Sequence, residues 1–234
     1  MASAVRTPRS VVIIAVLAAL VAAGALISAA VLRGRAAGEG TAQPSTSTST
    51  PAAEPVRCRV RPCQVLGVAD VRGVSVQLVA DAGAGSGRLL VGGTTDSVIE
   101  VDIAGRGVVL GPDSLQCVSG TLATCLIRGQ RADGSGVVGE VVVGRSDQWR
   151  RQETTYTSSA GYLGLTNVSG DPTAEVVAVQ YDCAGRAGCA QAPVFVQVFT
   201  LTGTRRCSRE YPRVTQIPGW PTPKPAEGQL RACP

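Results

Sequence analysis

The chain has 234 residues, of which 22 are basic and 17 acidic, and only 3% are aromatic. It contains no histidine, which excludes Ser-His-Asp and Cys-His catalysis, histidine-ligated metals and imidazole acid–base chemistry. The only lysine, Lys224, lies in a proline-rich tail, and no glycine-rich loop ends in GKS or GKT. Neither a Ser-Lys dyad nor a phosphate-binding loop is therefore expected.

The N-terminal region contains an uncharged apolar stretch at residues 11–32. A helix of about 22 residues is about 33 Å long, which is sufficient to cross a hydrocarbon core of about 30 Å. A cleaved signal peptide is the alternative, but its apolar region is usually only about 7–15 residues long. The stretch predicts an uncleaved signal anchor, a transmembrane helix that follows a cytoplasmic leader at 1–10.

The cysteines decide the orientation, because the arginines that flank the apolar stretch are similar in number on both sides. All eight cysteines follow the predicted helix, at Cys58, Cys63, Cys117, Cys125, Cys183, Cys189, Cys207 and Cys233. An even set on one side of a membrane indicates disulfides in an oxidising compartment. We predict a single-pass protein of the cell membrane, with a cytoplasmic N-terminus and an extracytoplasmic C-terminal domain.

A linker is predicted at 33–56, where residues 41–55 read TAQPSTSTSTPAAEP. Such Ser-, Thr- and Pro-rich sequence has little to bury and stays extended and solvated. The linker therefore separates the bilayer from a folded, disulfide-stapled domain at 57–234.

The folded domain is predicted to be mainly β. Val and Gly dominate its composition, and short apolar runs recur about every ten residues between Gly, Asp and Pro turns. This pattern is typical of an antiparallel sandwich, a barrel or propeller-like sheets. The predicted strands are 65–69, 74–80, 88–91, 97–103, 108–110, 122–127, 137–143, 149–157, 162–168, 175–181 and 194–201.

The C-terminal tail at 211–234 holds six of the fourteen prolines. Proline removes a backbone donor, so this tail is not expected to form regular sheet. We expect it to lie across the domain, held by Trp220 and Cys233.

Eight cysteines allow 105 disulfide connectivities, and short loops favour local pairs. The preferred set is 58–63, 117–125, 183–189 and 207–233. Zinc binding is the alternative, but the chain has neither a C-x2-C pair nor a histidine, so structural disulfides are favoured.

Glu100 and Asp102 would share one face of a strand, with side chains about 6–7 Å apart. This separation is near the range that glycoside hydrolases use. The other interpretation is the solvated face of an amphipathic strand in which Val101 and Ile103 are buried. This second interpretation is the favoured one.

Residues 167–175, NVSGDPTAE, place oxygen-bearing side chains at spacings that suit a hard cation such as calcium: Asn167, Ser169, Asp171 and Glu175. The segment resembles the calcium loop of FG-GAP/VCBS-type repeats of extracellular propeller-like proteins, where D-x-D/N-x-D-G precedes a strand. Asn167 and Ser169 replace charged ligands, and Pro172 replaces the turn glycine. A plain turn is the favoured interpretation.

Residues 66–73 and 163–170 align with four of eight positions identical, which suggests two copies of a strand-turn unit. The few aromatic side chains either line a ligand surface or anchor the core, and the second role is favoured. They include Trp149, Trp220, Tyr156, Tyr162, Tyr181 and Tyr211.

These features predict a non-catalytic module that binds a protein or polymer of the bacterial cell envelope. Two alternatives stay open: a scaffold within a membrane complex, and a carboxylate-dependent hydrolase of cell-wall glycan, for which Glu100, Asp102 and Asp171 are the residues to test. No cofactor is expected, and calcium at 167–175 is kept only as the less favoured alternative. Nucleic acid is not an expected partner, because the basic residues of the domain are scattered. The bias toward Ala, Val, Gly and Arg resembles that of actinobacterial membrane-anchored secreted proteins.

Overall fold

The computed structural model describes residues 58–92, 97–145, 148–183 and 189–233. The predicted leader, membrane helix and linker lie outside these residues. Within them, no helix combines the length and the apolar character needed to cross a bilayer.

The described chain forms three antiparallel sheets, in agreement with the predicted mainly β class. Sheet A contains β1 (Gln64–Val71), β2 (Val74–Ala80), β3 (Gly87–Val91) and β4 (Ser97–Glu100). Sheet B contains β5 (Val108–Val109), β6 (Leu115–Val118), β7 (Ala123–Arg131), β8 (Val137–Arg145) and β9 (Gln148–Ser158). Sheet C contains β10 (Leu163–Thr166), β11 (Glu175–Tyr181), β12 (Val194–Phe199), β13 (Arg205–Tyr211) and β14 (Arg231–Ala232). Short 3-10 helices occur at Ile103–Arg106, Cys189–Gln191, Val214–Gln216 and Glu227–Gln229.

The three sheets stack as layers, with sheet B in the middle. One apolar cluster fills the space between sheets A and B, and includes Leu78, Leu89 and Ile127. A second cluster lies between sheets B and C, and includes Leu126 and Leu163. Both faces of sheet B are therefore covered, and β8 is buried at every position before its last residue. The described strands form a layered array of sheets rather than one barrel.

The sequence pattern explains most of these strands. In β2 the alternating residues Val76, Leu78 and Ala80 face sheet B, as period-two alternation predicts. Three strands were not predicted: β6, which reads LQCV, β13, which reads RRCSREY and has little apolar signal, and the two-residue β14 of the tail. Several predicted strands are too long. The predicted strand 97–103 ends at Glu100, where a 3-10 helix follows soon after, and the predicted strand 162–168 spans only Leu163–Thr166.

The tail covers the outer face of sheet C. Ile217 and Leu230 are buried in a third apolar cluster with β11 and β12, and Trp220 packs there against Tyr162. The expectation that the tail forms no regular sheet is wrong at one point. Arg231 and Ala232 pair with β13 next to the Cys207–Cys233 bond, where no proline interrupts the backbone donors.

The four disulfides follow the preferred pairing, Cys58–Cys63, Cys117–Cys125, Cys183–Cys189 and Cys207–Cys233. Cys117 and Cys125 face each other directly across β6 and β7, so a short hairpin brings them together. The preferred pairing is therefore confirmed.

A buried ion pair fixes the first disulfide loop to sheet A. Arg88 of β3 donates to both carboxylate oxygens of Asp81, at 3.3 and 3.1 Å, and both side chains are buried. Asp81 also accepts hydrogen bonds from the Ser86 hydroxyl and from the Arg59 backbone amide of the Cys58–Cys63 loop. The Ser86 hydrogen bond is the largest influence that holds the pKa of Asp81 below its ordinary value. The carboxylate therefore stays charged opposite Arg88.

We expect Asp81→Ala to lower the free energy of unfolding by about 3–5 kcal/mol, because it removes the buried carboxylate opposite the Arg88 guanidinium and leaves only the half-exposed Glu100 to pair with it. The double variant Asp81→Ala/Arg88→Met should recover much of this loss, since it also removes the buried guanidinium. Chemical denaturation of the two variants and the parent measures both effects. A double variant no more stable than the single one would contradict this account.

Candidate functional site

The carboxylates proposed for glycan hydrolysis do not share a strand face. Glu100 is the last residue of β4, and Asp102 lies beyond it at the start of the 3-10 helix. Glu100 accepts from Arg59 and Arg88, each at 3.3 Å, whereas Asp102 pairs with Arg151. Asp171 lies in the loop before β11, where it accepts a hydrogen bond from the Thr173 amide. The expectation that Val101 and Ile103 are buried is confirmed.

A buried carboxylate that sequence reasoning missed lies beneath this region. Glu140 of β8 is 2% exposed and accepts hydrogen bonds from the backbone amides of Asp102 at 3.2 Å and Ile103 at 3.3 Å. It fixes the start of the 3-10 helix between sheets A and B. Glu140 is the only charged residue within the apolar run VVGEVVVG, and this position could have indicated a buried carboxylate. Its burial keeps it from contact with a substrate, so we assign it a structural role.

The proposed calcium loop is held by hydrogen bonds within the loop itself. Glu175 is buried, and its carboxylate accepts from the Val168 amide at 2.8 Å and from the Ser169 hydroxyl. Asn167 accepts from the Gly170 amide at 2.7 Å. The side-chain oxygens expected to bind a cation thus already accept hydrogen bonds from donors of the loop, as in a plain turn.

The two aligned strand-turn units share one local structure. Asp70 accepts a hydrogen bond from the Gly73 amide at 3.1 Å, and Asn167 accepts the equivalent bond from Gly170. Each unit is the first strand of its sheet followed by this turn. The connections differ in length, however, because the first is a two-residue hairpin and the second a longer loop.

A small group of sulfur and oxygen atoms could be mistaken for a metal centre. The Sγ atoms of Cys58 and Cys63 and a carboxylate oxygen of Asp81 all lie within 4.8 Å of one another. The two sulfurs form a disulfide, so neither is a thiolate. This group has no metal-binding chemistry in the oxidised protein.

The aromatic side chains divide into core anchors and one cleft residue. Tyr156 and Tyr211 are buried, and Tyr162 packs beside Trp220 under the tail, which agrees with the favoured anchor role. Trp149 of β9 is only partly buried. Its indole lies against Gly144 of β8, where a Cβ atom would come within 2.4 Å of the ring. Glycine at 144 therefore allows the ring to lie flat on the strand.

Trp149 lines a cleft of about 390 Å³ at one end of sheets A and B. Two arginines also line it, Arg72 from the β1–β2 turn and Arg145 from the end of β8. Arg72 donates through Nη1 to the Thr121 carbonyl at 3.1 Å, which orients its guanidinium across the cleft and leaves other N–H donors for a ligand. No acidic side chain lines the cleft within the part of the chain that the structure describes.

Two larger cavities offer less chemistry. In one, of about 560 Å³, the Arg128 guanidinium is engaged with the carbonyls of Asp113 and Leu163. In the other, of about 590 Å³, Arg213 is the one basic residue among the described lining residues. The smaller cleft is the strongest candidate site, because it combines two cations with an aromatic face. The chain matches no protein-family model, no curated protein and no solved structure.

Burial raises the pKa of Glu140 above its ordinary value of 4.5, and the hydrogen bonds from Asp102 and Ile103 offset only part of that effect. Protonated Glu140 therefore favours the folded state, and this contribution is lost as the pH rises through the folded-state pKa. Relative to Glu140→Gln, the parent should lose stability between about pH 4 and its folded-state pKa. Chemical denaturation across this range measures the difference. A pH-independent difference would refute this assignment.

We expect Glu175→Gln to lower the free energy of unfolding by about 1–3 kcal/mol, because one loop donor loses its charged acceptor. The loss should be equal in calcium and in a chelator, since the carboxylate serves the loop itself. Thermal unfolding in both buffers tests this. A calcium-dependent rise in the melting temperature of the parent, absent from the variant, would instead support the cation site.

Proposed function

We propose that the chain is a non-catalytic, membrane-anchored module of the bacterial cell envelope that binds an anionic polymer in the cleft of Arg72, Arg145 and Trp149. The observation that carries this proposal is the convergence of two guanidinium groups and one indole on a cleft whose described lining is free of acidic side chains.

The chemistry of the cleft suits this ligand class. A guanidinium presents several donors in a plane and binds carboxylate or phosphate with two parallel hydrogen bonds. An indole offers a flat apolar face, on which a sugar ring can pack. Arg72 and Arg145 arise from different sheets, so a polymer chain could contact both while it crosses the cleft.

The remaining features agree with a binding role outside the cell. Four disulfides stabilise the domain, as is usual in oxidising compartments. The predicted anchor and spacer at 11–56 would hold it near the envelope. The hydrolase alternative finds less support, because Glu100 and Asp102 are each paired with arginines and Asp171 lies in a separate loop.

Binding is tested with three polymers of similar length: a polyuronic acid, poly(glycerol phosphate) and a neutral glucan. We expect both anionic polymers to bind and the glucan not to bind. Arg72→Gln and Arg145→Gln should each weaken anion binding about fivefold, as for a loss of about 1 kcal/mol per exposed charge. The affinity should also fall with salt.

The matched control is Arg205→Gln, which removes an exposed arginine of β13 that does not line the cleft. Trp149→Leu should weaken binding of the polyuronic acid more than that of poly(glycerol phosphate), because the second polymer has no ring to pack on the indole. If Arg205→Gln weakens polymer binding as much as the cleft variants do, the loss depends on net charge alone, and the cleft is not the binding site.

A further inference from the structure

Sheet A has an outer face that the described chain covers only in part. Pairing across the sheet aligns Val68, Gln77, Leu90 and Val98 in one row. Their chain neighbours Val76, Leu78 and Leu89 face sheet B, so this row points away from the core. Val68 is 64% and Val98 61% exposed, and Leu90 is partly exposed. We call this row, together with the exposed Val65, the valine face.

Part of the same outer face is protected. In the next row Val79 and Arg88 are buried, and the Cys58–Cys63 loop is held at this end of the sheet by Arg59, which contacts Asp81 and Glu100. On the opposite side of the stack, the tail buries the outer face of sheet C. Three of the five large apolar side chains that are strongly exposed among the described residues, Val65, Val68 and Val98, lie on the valine face.

Among the described residues, unpaired side chains of opposite charge flank the valine face at its two ends. Exposed Arg61 precedes β1 at one end, where Arg59 and Glu100 pair with each other. Exposed Asp70 lies near the hairpin at the other end, where the guanidinium of Arg72 turns to the Thr121 carbonyl. A two-fold axis through the middle of the face would bring Arg61 of one copy to Asp70 of the other, twice. An anionic surface or a strongly cationic partner would meet an unfavourable charge at one of these ends.

We infer that the valine face is the contact of a two-fold symmetric homodimer, in which sheet A packs on sheet A of a second copy. The apolar side chains of the row, Val68, Leu90 and Val98, supply the centre of the interface, and the Arg61–Asp70 pairs form its rim. The dimer leaves the cleft of Arg72 and Trp149 free, since that cleft lies between sheets A and B. This inference does not depend on the ligand of the cleft.

The test is the dissociation constant of the full chain in detergent micelles, measured by analytical ultracentrifugation. Val68→Glu should raise the Kd at least about 100-fold, because it places two carboxylates without partners in an apolar contact. The control is Val109→Glu, at a valine of β5 that is 46% exposed and lies on another sheet. It should leave the Kd unchanged.

A charge-reversal experiment tests the symmetry itself. Arg61→Asp and Asp70→Arg should each weaken self-association about tenfold, because each turns both rim pairs into like charges. An equimolar mixture of the two variants should form heterodimers of parental affinity, since both pairs are then opposite in sign. This recovery is specific to a two-fold contact and does not depend on how well Val68→Glu folds.

Three results would overturn the inference. The first is a chain that stays monomeric at all concentrations, whether or not its valine face binds lipid vesicles. The second is a dimer whose Kd does not respond to Val68→Glu in a variant that keeps the parental circular dichroism spectrum, as expected for association through the predicted membrane helix. The third is a mixture of the charge variants that fails to form heterodimers.

Discussion

The structure depends on the burial of sheet B on both faces. An antiparallel sheet with one apolar face needs one cover, but β8 is apolar on both faces and needs two. Sheets A and C supply these covers, and each then presents an outer face of its own. The tail closes that of sheet C, and the Cys58–Cys63 loop closes part of that of sheet A. The order of the layers thus follows from one strongly apolar strand.

Two of the three buried acidic side chains, Asp81 and Glu140, have pKa values that are shifted in opposite directions. Asp81 faces Arg88 and accepts further hydrogen bonds, so its ionised form is favoured. Glu140 accepts its hydrogen bonds from backbone amides, and desolvation outweighs both these bonds and the attraction of the Arg151 charge, so its pKa is raised. Both connect an irregular segment to a sheet, the disulfide loop in one case and the 3-10 helix in the other. Their roles are architectural rather than catalytic.

Much of the fold could be predicted from the sequence, because local sequence patterns indicate most of the strands. Alternation indicated β2, and an apolar run with a single charged residue, VVGEVVVG, indicated β8. Short cysteine spacings indicated three of the four disulfides, whose partners are five to eight residues apart. The cleft could not be predicted, because Arg72, Arg145 and Trp149 come from elements that meet only through long-range packing. β13 escaped prediction because its polar sequence becomes a strand only through pairing with β12.

The β1–β2 hairpin places an arginine where the backbone prefers a smaller residue. Arg72 has φ of 58°, a left-handed conformation that costs a non-glycine residue about 1–2 kcal/mol. Glycine or asparagine at this position would relax the turn and raise the melting temperature, yet would remove one of the two cations of the cleft. A substitution of Arg72 that raises thermostability is therefore expected to lower ligand affinity. In a library of variants selected for heat resistance alone, we expect Arg72 to be replaced.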